Sequence, residues 1–231
     1  MAEEAGFGMT DLPITDWVTP ASPIPASKSG PMRIIKRPIK RGSSLKMHGV
    51  FGYDRAVFLN DCVITILTDS DKPMDELKGE DVIMSDAPYE YYGMWQLAAR
   101  AWPGKVLIGG LGLGLIAHIV SWRPDITTIR VVEISEDVIR LVKPYIPSRV
   151  EVIHDNFLEY VVKTEEKYNT VIVDIWRGTG ERDRELFEYT WGLLEDHQSE
   201  ALHLFWGFQE EVDLQTCLSA EAYWELHPPS G

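Results

Sequence analysis

From Lys105 onward, short runs of consecutive apolar residues alternate with stretches in which apolar positions recur every three or four residues. The runs are Lys105–Gly109, Thr128–Ile134, Val150–His154, Thr170–Ile175 and Ala201–Trp206. Each has strand length and is rich in Val, Ile or Leu, as in strands covered on both faces. The intervening segments Leu113–Trp122, Glu136–Lys143, Leu158–Glu165 and Arg184–Asp196 are compatible with helix. Regular alternation of strand and helix calls for right-handed crossovers, so the pattern predicts an α/β fold with a Rossmann-like, doubly wound, mostly parallel sheet. Just upstream, Tyr89–Trp102 places Tyr92, Trp95, Leu97 and Ala99 at helical spacing, predicting a helix that stops before Pro103-Gly104.

The N-terminal part reads differently. Between Met47 and Asp69 the segments GVFGY, RAVFLN and VITILTD are rich in β-branched and aromatic residues and punctuated by Gly, Asn and Asp. They predict a small hairpin or meander. Residues 1–31 hold five prolines, one lysine and no arginine, a composition that predicts a flexible extension. The expected organisation is therefore an extension over 1–31, a small β-rich domain over 32–86 and a Rossmann-like domain over 87–231. Seven basic residues and no acidic one lie between Lys28 and Lys46. Such a run is usually a solvated edge that balances acidic neighbours; the functional alternative is an anion-binding lip.

Composition narrows the function classes. The 231 residues are 45% apolar and 25% charged, enough for a substantial core, and the net charge is −14. An acidic surface repels phosphate backbones, which argues against a nucleic-acid partner. Cys62 and Cys217 make no disulfide framework and no metal-ligand spacing, so reduced thiols in a cytoplasmic protein are expected. The most apolar stretch, Val106–Val120, is too short to span a bilayer and is interrupted by four glycines, and no secretory leader is recognisable. The histidines lack ligand spacing, so no metal is expected, and no nucleophile elbow points to hydrolysis.

The chemistry gathers at the carboxyl ends of the predicted strands. The first runs into Gly110, Leu111, Gly112 and Gly114, a turn that lets backbone approach a ligand closely and leads into a helix. The second ends at Glu133, followed by Ile134, where a carboxylate can accept from both ribose hydroxyls. Asp155-Asn156 ends the third and Asp174 the fourth. Taken singly, each has a structural alternative: a tight turn, a helix cap at Glu133 or at Asp155-Asn156, or an Asp174–Arg177 ion pair. Four such residues at four strand tips favour a nucleoside site, because ligands of open α/β sheets bind there.

In this order and spacing, VLIGGLGLG, VVEIS, VIHDN and VIVDIW resemble the class I S-adenosylmethionine-dependent methyltransferase fold, and within it the spermidine synthase branch. Tyr89-Glu90 stands where that branch has a Tyr-His-Glu element. Met84-Ser85-Asp86-Ala87-Pro88 and Asp174-Ile175-Trp176 also resemble segments of small phage and bacterial methyltransferase-like proteins. The resemblance implies S-adenosylmethionine as cofactor, with Gly110, Gly112 and Gly114 at its methionine and ribose part, Glu133 at the ribose and Asp155-Asn156 at the adenine. Asp174 would position or deprotonate the nucleophile. From the residues themselves, Tyr89 and Trp176 are candidates to wall the acceptor site, although aromatic clusters are more often core; Arg177, with Arg182 and Arg184 beyond the Gly178-Thr179-Gly180 loop, could receive an anionic acceptor, but a solvated helix start interleaved with Glu181, Asp183 and Glu185 is the favoured reading.

The departures from that pattern shape the expectation. Leu113 stands where aminopropyltransferases hold an acid, Ile108 where many methyltransferases do, and Arg177 where a second carboxylate would receive a polyamine. A methyltransferase acting on an unidentified small-molecule or protein acceptor is the favoured reading. An aminopropyltransferase would need a carboxylate from elsewhere, and a binding or assembly module keeping the fold without catalysis is the third reading. A NAD enzyme shares the glycine turn and acid but has least support. About 25 residues follow the last run, too few for two further antiparallel strands with their helix, so the sheet is expected to be shortened or its edge covered by a partner such as a second copy in a homo-oligomer. Glu133→Ala is expected to weaken nucleoside binding and leave the fold intact.

Overall fold

The computed structural model describes residues 10–177, 181–209 and 212. The Gly178-Thr179-Gly180 loop, the Arg182 side chain and the segment from residue 213 onward, with Cys217 and His227, lie outside the described residues.

The strands of the second half are β8 (Gly104–Gly109), β9 (Ile126–Glu133), β10 (Val150–His154), β11 (Thr170–Val173) and β12 (Leu202–Phe205), preceded by α1 (Pro88–Ala99). Helices α2 (Leu115–Ser121), α3 (Glu136–Val142), α4 (Phe157–Lys163) and α5 (Glu181–His197) connect them. All pairings are parallel, and the sheet order is β10-β9-β8-β11-β12. The chain thus winds outward from β8 in one direction and returns to add β11 and β12 on the other side, which makes the Rossmann-like architecture expected from the sequence. The reversal lies between β8 and β11, where the crevice of such a sheet opens.

Side chains alternate between two cores, as the two-residue repeat of a strand requires. Val106, Ile108, Ile129, Val131, Ile172 and Leu204 face α1, α2 and α3. Leu107, Val132, Val171, Val173 and Phe205 face Phe157 and Val161 of α4 and Phe187 and Leu194 of α5. Pro88 opens α1 at a position whose missing N–H costs no helical bond.

The N-terminal half forms two small sheets. Strands β2 (Ser27–Ser29), β3 (Met32–Ile39), β6 (Cys62–Thr68) and β7 (Val82–Ser85) make one, in that order and antiparallel. Strands β1 (Asp11–Ile14), β5 (Arg55–Phe58) and β4 (Ser44–Lys46) make the other. The hairpin expected between RAVFLN and VITILTD does not form, because β5 pairs with β1 and β4 whereas β6 pairs with β3 and β7. GVFGY is no strand either. It is a tight turn in which Gly49, Phe51 and Gly52 all have positive φ (80°, 52° and 79°), a conformation incompatible with a pleat.

Residues 10–31 are not a flexible extension. Ile14, Trp17, Ala21 and Ile24 are buried, and Ala21 and Ile24 belong to the same core as α1–α3. Burying Trp17 and Ile24 contributes roughly 2–3 kcal/mol each, which offsets the ordering of a proline-rich segment. The basic run supplies β2, β3 and β4 and is partly paired: Lys28 with Asp71 and Lys40 with Asp61, while Arg33 donates to the Ser70 and Lys72 carbonyls. Among the described residues, no helix is long and apolar enough to cross a membrane.

Candidate ligand site

A cavity of about 320 Å³ opens at the carboxyl ends of the parallel strands. Its floor is Gly110 and Gly112, its sides are Glu133, Ile134, Asn156 and Asp174, and Trp176 and Arg177 stand at its rim. Met32, Leu67, Ile83 and Met84 of the N-terminal strands close it from above. The site therefore lies between the two halves of the chain.

The glycine turn is constrained by contact. Gly110 has φ +88°, and a Cβ there would fall 2.1 Å from the Asp174 carbonyl oxygen, so any side chain would force β8 and β11 apart. Glu133, buried, ties the turn to the tip of β9: its Oε2 accepts the Leu111 N–H at 2.8 Å and its Oε1 the Ser135 N–H at 2.8 Å. Each oxygen retains lone-pair capacity toward the cavity. Leu111 is buried under the turn, and Gly114 caps α2 against Ile146 and Val142, so these two shape the loop without lining the cavity.

Asp174 sits past β11 in the cavity wall, and among the described residues none donates a hydrogen bond to its carboxyl. Burial, with the charges of Glu90 and Glu133 nearby, pushes its pKa well above the usual carboxylate range. Glu90, on the first turn of α1, is the second acid of this group. Its Oε2 accepts both the Ser85 N–H (2.8 Å) and the Ser85 hydroxyl (2.5 Å), and burial still raises its pKa to about 7. A carboxyl held above its unfolded value favours folding in acid, and that contribution fades as pH rises from 4.5 through 7. Because both bonds use one oxygen, Glu90→Gln preserves them while removing the charge. The variant is expected to gain about 3 kcal/mol on wild type between pH 5 and pH 8, read from urea unfolding at the two pH values. A parallel pH dependence in both proteins would refute the assignment.

Five expected site residues lie elsewhere or differ in role. Asp155 does not line the cavity: its Oδ1 accepts the Asn156 N–H at 2.8 Å, while Asn156 caps α4 through the Leu158 N–H. The two neighbours diverge at the strand end, and only Asn156 turns inward. Tyr89 lines a second cavity with His48 and Trp206, because consecutive helix positions point about 100° apart. Its neighbour Glu90 turns instead to Ser85 and the neighbourhood of Asp174, without lining the cavity. Arg177 touches the cavity but forms a bidentate pair with Asp69, so its charge is compensated and Asp69 is held below its ordinary pKa. Trp176 is mostly core, packed on Phe187, Phe205 and Phe208 with its indole N–H on the Trp206 carbonyl (2.8 Å). Arg184 lies 4.0 Å from Glu188, one helical turn on, and does not line the cavity.

The motifs alone do not place Met84 in the cavity or Glu90 beside Asp174, although both stand in the MSDAP and Tyr89-Glu90 segments. The five-residue segment from Met84 to Pro88 serves four purposes. Met84 lies on the glycine turn, Ser85 holds Glu90, Asp86 fastens the N-terminal segment and Pro88 starts α1.

Residues 95–193 match the family model of the spermine/spermidine synthase domain. The match runs from within α1 to within α5 and contains the glycine turn, Glu133, Asn156 and Asp174, so the resemblance drawn from the motifs is borne out. Solved structures similar to the chain include spermidine synthase from Thermotoga maritima (19% identity, 59% of this chain and 50% of that one, TM-score 0.39). M. capricolum TrmK, solved with S-adenosyl-homocysteine, gives 11% identity over 48% and 49% of the two chains, with a TM-score of 0.38. Precorrin 8W decarboxylase from Methanobacterium thermoautotrophicum gives 15% over 48% and 60%, with a TM-score of 0.37. The chain spans about half to three fifths of the length of these structures. No curated protein matches it.

Proposed function

We propose that the chain binds the adenosyl part of an S-adenosylmethionine-type donor in the strand-tip cavity and transfers the donor's methyl group to a small or protein-borne acceptor. The observation that carries this is the placement of Glu133 beside the glycine turn in one cavity at the sheet's reversal point. Glu133 would accept from the ribose hydroxyls, and Ile134, Val138 and Leu158 offer apolar walls to a purine near Asn156. Gly110 and Gly112 let the turn pack directly against the Asp174 carbonyl and the Met84 thioether, where a Cβ would collide. A bound sulfonium donor supplies an electrophilic carbon and its own leaving group, so the protein has chiefly to align the acceptor and remove a proton. Asp174, with its raised proton affinity and its unengaged carboxyl, is the residue for the second task.

Thermal unfolding scans with S-adenosylmethionine, S-adenosylhomocysteine, decarboxylated S-adenosylmethionine, methylthioadenosine and NAD test the reading. A ligand at 100 times its dissociation constant adds about 2.7 kcal/mol. Adenosyl ligands should raise the melting temperature and NAD should not. If none does, the binding or assembly reading takes its place. Asp174→Asn is expected to reduce turnover at least tenfold more than donor affinity, about 1.4 kcal/mol specific to the reacting state, in a labelled-methyl assay. Equal losses would make Asp174 a donor contact.

One observation favours a second reading. Glu90 places a second carboxyl near Asp174, and Asp69 pairs with Arg177, so α1 would supply the carboxylate an aminopropyltransferase needs while the opposing cation is paired. Stabilisation by decarboxylated S-adenosylmethionine beyond that given by S-adenosylmethionine would support it.

A further inference from the structure

Met84 is the side chain that meets the glycine turn. Its sulfur accepts the Leu113 N–H at 3.0 Å, and a Cβ on Gly112 would fall 2.4 Å from it. The side chain is 7% exposed and lines the cavity. Its backbone is fixed, since Met84 pairs with Leu67 in the β6–β7 ladder and the next residue is held by Glu90. The thioether reaches the turn through three rotatable bonds, so it can be withdrawn without moving the backbone.

The sheet order gives this contact a meaning. Asn156 follows β10, Glu133 ends β9, the glycine turn follows β8 and Asp174 follows β11, with neighbouring strands about 4.8 Å apart. A nucleoside with its base toward Asn156 and its ribose on Glu133 must direct its 5′ substituent onto the glycine turn, where Met84 lies. Ile108 and Leu113 are apolar and buried, and the Leu113 N–H that could receive a carboxylate is taken by the sulfur.

We propose that Met84 is a specificity-determining gate on the donor's 5′ substituent: its thioether fills the space of an amino-acid tail and must withdraw before a tail-bearing ligand can seat. A short uncharged substituent fits without that movement. The affinity of a tail-bearing ligand is therefore reduced by the fraction of molecules in which Met84 has withdrawn. This inference rests on the nucleoside reading of the cavity.

Calorimetric titration of the wild type, Met84→Ala and Met84→Val with methylthioadenosine and S-adenosylhomocysteine separates the two claims. In the wild type, S-adenosylhomocysteine should bind no tighter than methylthioadenosine. Met84→Ala should tighten S-adenosylhomocysteine about tenfold or more and change methylthioadenosine less than about threefold. Met84→Val removes less core volume and gives the same readout should the alanine variant not fold. A wild type that prefers S-adenosylhomocysteine tenfold, or variants that move both ligands equally, would overturn the gate while leaving the nucleoside site standing. Failure of both ligands to bind any of the proteins would remove the site and the gate together.

Discussion

Replacing Glu133 with alanine is expected to weaken adenosyl-ligand binding roughly a hundredfold and to lower the free energy of unfolding by about 2–4 kcal/mol. The binding loss follows from two ribose hydroxyls losing a charged acceptor. The stability loss follows from the other duty of the same carboxylate. It holds the Leu111 and Ser135 N–H groups, and in alanine's place both donors are left at a buried strand end without partners. Sequence alone predicts a loss of binding with the fold intact; the two hydrogen bonds add an expected cost in stability. Glu133→Gln should recover part of the stability, since its oxygen can keep one N–H, while its amide nitrogen faces the other donor. Titration calorimetry and urea unfolding on the same preparations report the two effects. Undiminished ligand affinity in Glu133→Ala would take Glu133 off the ribose.

Asp86→Ala should be the most destabilising single change in the N-terminal half, about 3–5 kcal/mol. Asp86 is fully buried, accepts the Thr19 hydroxyl at 2.6 Å and the Thr65 N–H at 2.6 Å, and its backbone carbonyl receives the Trp17 indole N–H at 3.0 Å. Lys36 lies close enough to offset its charge, and holds the Ala21 and Ser22 carbonyls and the Thr65 hydroxyl. The alanine variant leaves two donors and a partly buried ammonium uncompensated. The segment around Thr19 should then open first, seen as faster amide exchange at Thr19, Ala21 and Thr65 and as cleavage by protease before residue 31. Exchange that stays at wild-type rates there would show that apolar burial of Trp17 and Ile24 holds the segment by itself.

The α/β half was legible in the sequence because its signals are local. A strand buried on both faces must be an unbroken apolar run, and a crossover helix must carry its own stripe, so β8 to β12 appear in order within a few residues of their observed ends. Glycines at Gly110 and Gly112 and the acids ending the strands are likewise fixed by position along the chain. The N-terminal half was misread for the opposite reason. Its strands pair with distant partners, β1 with β5 and β3 with β6, and its proline-rich segment is ordered by Asp86 and Trp17, contacts that no local composition announces.

The sequence by itself determined that a doubly wound sheet would present Gly110, Gly112, Glu133, Asn156 and Asp174 at one end, since parallel strands with right-handed crossovers admit no other side for their tips. Only the tertiary structure decided which neighbour turns where: Asn156 rather than Asp155 toward the cavity, Glu90 rather than Tyr89 toward Asp174. It also decided that Arg177 is neutralised by Asp69 and that Met84 reaches across from another sheet to the glycine turn. Backbone periodicity fixes where a residue stands, but its direction and its electrostatic company come from elements far away in the chain.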